Sequence, residues 1–180
     1  MLNPRHGQRG LSLMEFLIGL VITGLLFALG APSFSAWIQN TRIRTASETL
    51  LNGIHLARAE AVRRNAPVQF VLGTGSSWTV GCVTASAACP DPIQSRSSAE
   101  GSTAEITVAA DQATTVIFNG LGRMTAPAAD DSFDIKNAAH GACADAAGPM
   151  RCLRIVVSTG GQIRMCDPAL ALATNPQGCV

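Results

Sequence analysis

The residues able to do chemistry in this chain fall into three groups. Near the N-terminus, Gly10-Leu11-Ser12-Leu13-Met14-Glu15 sets a small residue at a cleavable bond and one carboxylate just inside a long apolar run. If the chain is cut between Gly10 and Leu11, Glu15 lies four residues after the new N-terminus, one helical turn away on the same face. A carboxylate inside an apolar membrane helix costs roughly 2.5–3.5 kcal/mol on insertion scales, so it needs a partner. The α-ammonium of Leu11, in the same or a neighbouring helix, is the nearest candidate.

The second group is six cysteines, Cys82, Cys89, Cys143, Cys152, Cys166 and Cys179, all after the apolar run. An even number in an exported segment reads as disulfides. Six cysteines allow about 15 pairings. The pairing favoured here joins sequence neighbours, Cys82–Cys89, Cys143–Cys152 and Cys166–Cys179, each closing a short loop rich in Ala, Gly and Pro. His140 and Cys143 have ligand-like spacing, but no second tight pair accompanies them, so no metal site is expected. The third group is arginine-centred: Arg151, Arg154 and Arg164 near the C-terminus, with Lys136 as a supporter. Guanidinium groups grip phosphates through paired donors, which makes this a candidate nucleic-acid patch. The opposing reading is a set of solvated charges on an edge hairpin, which favours solubility.

No enzyme is expected. The chain has three histidines, His6, His55 and His140, and no Gly-x-Ser-x-Gly elbow, Walker loop or His-Glu-x-x-His. Gly120 and Gly122 read as a turn rather than a dinucleotide loop. The net charge is +1, and removing Arg5 and Arg9 takes 13 bases to 11 against 12 acids. Global charge therefore announces no polyanionic partner.

These groups need elements to hold them. From Phe16 to Thr41 there is no charged residue, and about 20 apolar residues suffice to cross a bilayer. The expected organisation is a leader over 1–10, a transmembrane helix over 11–37 and a soluble domain over 38–180. Past Pro32, Ile43, Ala46, Leu50, Ile54, Ala57 and Ala61 recur at steps of three and four, the stripe of an amphipathic helix. Gly53 lowers helix propensity but permits close packing on a sheet, and Pro67 closes the helix. One helix of about fifty residues is thus expected, given the roughly 1.5 Å rise that lets one segment serve both environments.

Beyond Pro67 the period falls to two. Val68–Leu72 and Ser77–Val83 read as a hairpin about Gly73-Thr74-Gly75-Ser76, and Glu105–Ala109 with Thr114–Phe118 as a second strand pair. Residues 89–102 and 138–149 read as loops, and Phe133–Lys136 as a weak strand. Arg151–Val157 and Gln162–Cys166 form a final hairpin. A three-residue loop there places Val157 opposite Ile163 and Ile155 opposite Met165, with Arg154 and Arg164 diagonal on the outer face. A helix followed by strands, without βαβ alternation, implies an α+β domain with a mostly antiparallel sheet packed on the helix.

The register Gly10, Leu11, Glu15 before an uncharged run resembles the class III signal of type IV pilins and type II secretion pseudopilins. That resemblance implies cleavage between Gly10 and Leu11 by prepilin peptidase, N-methylation of Leu11, subunit docking through Glu15 and a kink at Pro32. Leu56-Ala57-Arg58-Ala59-Glu60-Ala61-Val62-Arg63-Arg64-Asn65, then strands, then Phe118-Asn119-Gly120-Leu121-Gly122, is similar to the GspH/FimT branch. The Cys166-closed tail looks like its FimT/FimU side. The resemblance implies a type IV pilin-like fold and a minor pilin that primes and caps a pilus, with adhesion or DNA uptake as further roles. The alternative it carries is a GspH-like pseudopilin of type II secretion. The implied partners are other minor pilins, the major pilin, prepilin peptidase and the inner membrane, with the domain in the periplasm. Some FimT-type proteins bind duplex DNA through Gly-Arg-x-Arg, and here Gly161-Gln162-Ile163-Arg164 lacks the first arginine, with Arg154 its diagonal substitute. No cofactor is implied.

Overall fold

The computed structural model of the chain describes residues 12–100, 103 and 105–179. The cut between Gly10 and Leu11 and the methylated Leu11 lie outside these residues. Among the described residues, one α-helix, α1 (Leu13–Arg64, 52 residues), precedes nine strands. The chain divides into two compact units, Met1–Ser35 and Ala36–Val180.

In the first unit, every large apolar side chain from Leu13 to Leu29 is at least 50% exposed. A soluble protein does not display such a surface over so many turns, and the segment is long and apolar enough to cross a membrane. Glu15 falls in the first turn, where a carboxylate complements the helix dipole. Thr23 satisfies its hydroxyl by donating to the Gly19 carbonyl at 2.7 Å, an internal solution that suits lipid. Pro32 lies within α1, which continues through it.

In the second unit the helix behaves differently. Ile43, Ala46, Leu50, Ile54, Ala57 and Ala61 are all fully buried, as their spacing predicts. Ser47 is buried among them and donates to the Ile43 carbonyl at 2.8 Å. A Cβ at Gly53 would lie 2.9 Å from two ring atoms of Trp78, so only glycine lets helix and sheet approach this closely. Asn65 then adopts the left-handed conformation (φ 49°) that ends the helix before Pro67.

All strand pairings are antiparallel. The first sheet has five strands in the order β3 (Gln94–Arg96), β2 (Trp78–Cys82), β1 (Val68–Leu72), β5 (Thr115–Phe118), β6 (Met124–Ala126). The second has four in the order β4 (Ile106–Ala110), β7 (Asp131–Asn137), β8 (Leu153–Val157), β9 (Ile163–Cys166). The hairpins β1–β2 and β8–β9 form as expected, the latter with Val157 opposite Ile163 and Ile155 opposite Met165.

Two expectations need correction, and the strand expected around Phe133 forms and extends further. The strands β4 and β5 do not pair; β5 lies between β1 and β6, and β4 pairs with β7. Asp131 explains the divergence: its buried carboxylate accepts the Gln112 and Ala113 amides at 2.9 and 3.2 Å, turning the chain from one sheet to the other. The weak strand around Phe133 is an interior strand of the second sheet. Ser132, Asp134 and Lys136 alternate with buried Phe133 and Ile135, and sit on the opposite face. Finally, the loop over 89–102 contains β3, held on β2 by backbone pairing despite its polar side chains.

One core cluster draws on the helix and both sheets. Phe70 of β1 meets Phe133 of β7 edge-on with ring centroids 6.0 Å apart, and so ties the two sheets together. Three disulfides, Cys82–Cys89, Cys143–Cys152 and Cys166–Cys179, join sequence neighbours and leave no free cysteine among the described residues.

Candidate assembly face and C-terminal arginine patch

The N-terminal candidate is Glu15 on a helix of exposed apolar residues. Gly19 and Thr23 follow it at steps of four, which puts a narrow small and polar stripe on one face. No ion-pair partner for Glu15 exists among the described residues. A carboxylate in this setting demands a cation from the chain's own N-terminus or from another helix.

The C-terminal candidates are brought together only in part. Arg154 on β8 and Arg164 on β9 are diagonal across the pairing, since Arg154 faces Cys166 and Arg164 faces Val156. Lys136 lies on β7 two residues beyond Asp134, which faces Arg154. Arg154 is not a free cation: its guanidinium donates two bonds to the Asp134 carboxylate, at 2.6 and 2.9 Å. Those bonds push its pKa up, with Asp111 and Asp145 adding attraction from further off. Arg164 donates to the Cys179 carbonyl at 3.2 Å, so it pins the disulfide-closed tail. Arg151 sits apart, before β8, with its amide on the Asn40 side chain at 2.8 Å. It lines an open groove of about 450 Å³ with Trp37, Arg44 and Asp167. The outer face is thus a mixed-charge surface, not a row of free cations. Sequence reading missed Asp134, because nothing marks which strand will lie beside Arg154 until the sheet order is known.

The six cysteines and His140 form no metal site. All six cysteines are in disulfides, and no cluster of ligating residues occurs among the described residues. The imidazole of His140 lies 3.2 Å from the Glu105 carboxylate, and Arg42 approaches the same carboxylate at 3.6 Å. His55 is exposed on α1, and partial desolvation with repulsion from Arg58 lowers its pKa.

A polar node escaped the sequence reading altogether. Asn137, fully buried at the end of β7, donates to the buried Gln39 side chain of α1 at 3.0 Å. Gln39 also accepts from Arg42 at 3.3 Å. The Asn137 side-chain oxygen caps the short turn Ala138–His140 by accepting the Ala139 amide. Asparagine immediately before such a turn was the available signal.

Comparison with known proteins fits this architecture. The type IV minor pilin FimU of Pseudomonas aeruginosa is similar at 19% identity, over 77% of this chain and 95% of its own, with a TM-score of 0.53. The minor pseudopilin EpsH from the Type 2 Secretion System of Vibrio cholerae is similar at 11% identity, over 72% of this chain and 99% of its own, with a TM-score of 0.51. At such identities the likeness carries the fold. No curated protein matches the sequence. The family described as Type II transport protein GspH matches residues 46–161, which is most of the domain that packs on the helix. With its GspH match, the chain belongs to the family described as Type II transport protein GspH, and its long helix and two antiparallel sheets share the fold of these minor pilin and minor pseudopilin structures.

Proposed function

We propose that the protein is a minor pilin, anchored in the inner membrane with its domain in the periplasm, that enters the priming complex at the tip of a type IV pilus. The observation that carries this reading is the apolar, exposed first half of α1 with the single carboxylate of Glu15. Such a helix is stable in lipid, and equally so packed among identical apolar helices that supply a cation for Glu15. Cleavage between Gly10 and Leu11 by prepilin peptidase would create that cation, and N-methylation would leave it charged at neutral pH. Pro32 would let the helix bend, because it lacks the N–H that bonds one turn back. The partners are then other minor pilins and the major pilin.

A pseudopilin role in type II secretion is the second reading, favoured by the description of the matching family. The same apolar helix serves either machine. The preference for the pilus rests on the Cys166–Cys179 tail and on the minor pilin FimU among similar structures. Neighbouring genes separate the two: pilus-assembly genes support the first, secretion genes the second. Duplex DNA is the less supported partner, since Arg154 is bound to Asp134 and Arg164 to the tail. Glu15→Ala tests the main reading. Membrane insertion should be retained and incorporation into filaments lost, as measured in membrane and sheared-filament fractions. Normal filament content in that variant removes the docking role.

A further inference from the structure

The turn between β5 and β6 is more elaborately built than a connection requires. The Asn119 side chain accepts the amides of Leu121 and Arg123 at 3.0 and 3.1 Å. The backbone closes with Gly122 N–H on the Asn119 carbonyl at 2.8 Å and Asn119 N–H on the Arg123 carbonyl at 3.0 Å. Gly122 has φ +73°, and a Cβ there would lie 3.1 Å from Val62 and 3.2 Å from the Arg58 guanidinium. Arg58 Nε reaches over to donate to the Gly122 carbonyl at 3.1 Å. A Cβ on Gly161, in the β8–β9 turn, would collide with that same carbonyl oxygen.

The product of this bracing is Leu121, 80% exposed, the most exposed large apolar side chain in the domain among the described residues. A single exposed leucine is ordinary. A leucine held out on a turn with completed hydrogen bonds, beside the 52% exposed Val62, is a pre-organised contact. Around it the charge is one-sided. Arg63 and Arg64 share one carboxylate, Glu60. Arg58 and Arg123 have no ion-pair partner among the described residues. Asp130 is engaged elsewhere, accepting the Thr159 amide at 2.8 Å.

We propose that Leu121 and Val62, rimmed by Arg58 and Arg123, form the domain's docking surface for a different pilin-like subunit, one that presents an apolar recess flanked by carboxylates. The proposal rests on the minor-pilin reading and names the surface that reading leaves open. An apolar centre bordered by arginine suits a protein–protein interface, where the buried core is apolar and Arg is enriched while Lys and Glu are depleted. Nucleic acid would meet a leucine where it needs a cation or a stacking aromatic, and no aromatic stands in this patch. A second copy of the same patch would set arginine against arginine, which disfavours self-association through it.

The test places p-benzoylphenylalanine at Leu121 of the full-length chain in its own cells, with a control carrying it at Leu25 in the apolar helix. Irradiation should give an adduct at Leu121 with a different pilin-like subunit, and mass spectrometry should map it to a segment bearing Asp or Glu. Arg123→Glu should reduce that adduct at least tenfold, whereas Arg123→Lys should preserve it. An adduct at Leu25 but none at Leu121 overturns the docking surface and leaves the minor-pilin reading standing. Adducts at neither position overturn both. A Leu121 adduct with duplex DNA, lipid or a second copy of this chain overturns the proposal.

Discussion

The two halves of α1 solve opposite problems with one backbone. Over residues 13–35 the large apolar side chains surround the helix and stay exposed, and the polar groups present, such as Thr23, turn back onto the helix's own carbonyls. Over residues 36–64 most apolar residues gather in one buried stripe, Trp37 and Val62 staying exposed, and charges occupy much of the rest, some in pairs such as Arg44–Glu48 at 2.9 Å. The difference shows that helical propensity is common to both, while the angular spread of apolar residues decides the environment. A helix that is apolar all round needs lipid or other helices, whereas one with a stripe needs a sheet.

The sharpest way to break this comparison is to remove equal apolar bulk from each side of it. Phe70→Ala, at the junction of helix and both sheets, should destabilise the domain by about 3–5 kcal/mol. Leu20→Ala should leave the denaturant midpoint of the same full-length chain in micelles unchanged. Equal losses would mean that the apolar half of the helix contributes to the domain's core. Next in size is the tail. Cys166→Ser with Cys179→Ser opens a bridge across a sequence separation of 13, and should cost about 2–3 kcal/mol by the usual loop-closure scaling. Calorimetry would show this as a lower melting temperature, and an unchanged transition would mean that the tail is held by Arg164 and backbone pairing alone.

The smallest effect concerns the charged face of the second half. Hydrogen bonding from Arg63, joined by Arg64, lowers the Glu60 pKa against a smaller desolvation effect. A carboxylate with a lowered folded pKa contributes stability that is present above its ordinary value of 4.5 and is lost as pH falls through the folded value. Glu60→Gln should therefore destabilise the protein slightly at neutral pH, and the gap to the parent should close in acid. A gap independent of pH in urea titrations would assign the effect to packing.

Much of the frame was legible because it depends on local periodicity. The stripe from Ile43 to Ala61, the stop at Pro67 and the β8–β9 register follow from spacing and turn chemistry alone. The pairing of β4 with β7 was not legible, since its determinant is the Asp131 side chain reaching amides 18 and 19 residues away in sequence. The candidate patch divides in the same way. The diagonal of Arg154 and Arg164 came from hairpin register, but its neutralisation came from a strand neighbour, Asp134, that only sheet order supplies. Likewise Gln39 and Asn137, 98 residues apart, read as ordinary polar residues until burial makes them partners.

By itself, then, the sequence determined an apolar helix with one carboxylate, an amphipathic continuation and a disulfide-rich β domain. Composition and period act over one or two turns, and need no knowledge of the rest of the chain. Tertiary structure alone decided which strands are neighbours, which arginines keep a free charge, and that Leu121 is held outward on a braced turn. Those outcomes depend on contacts between residues far apart in the chain, whose energies exist only once the core around Phe70 and Phe133 has brought the two sheets together.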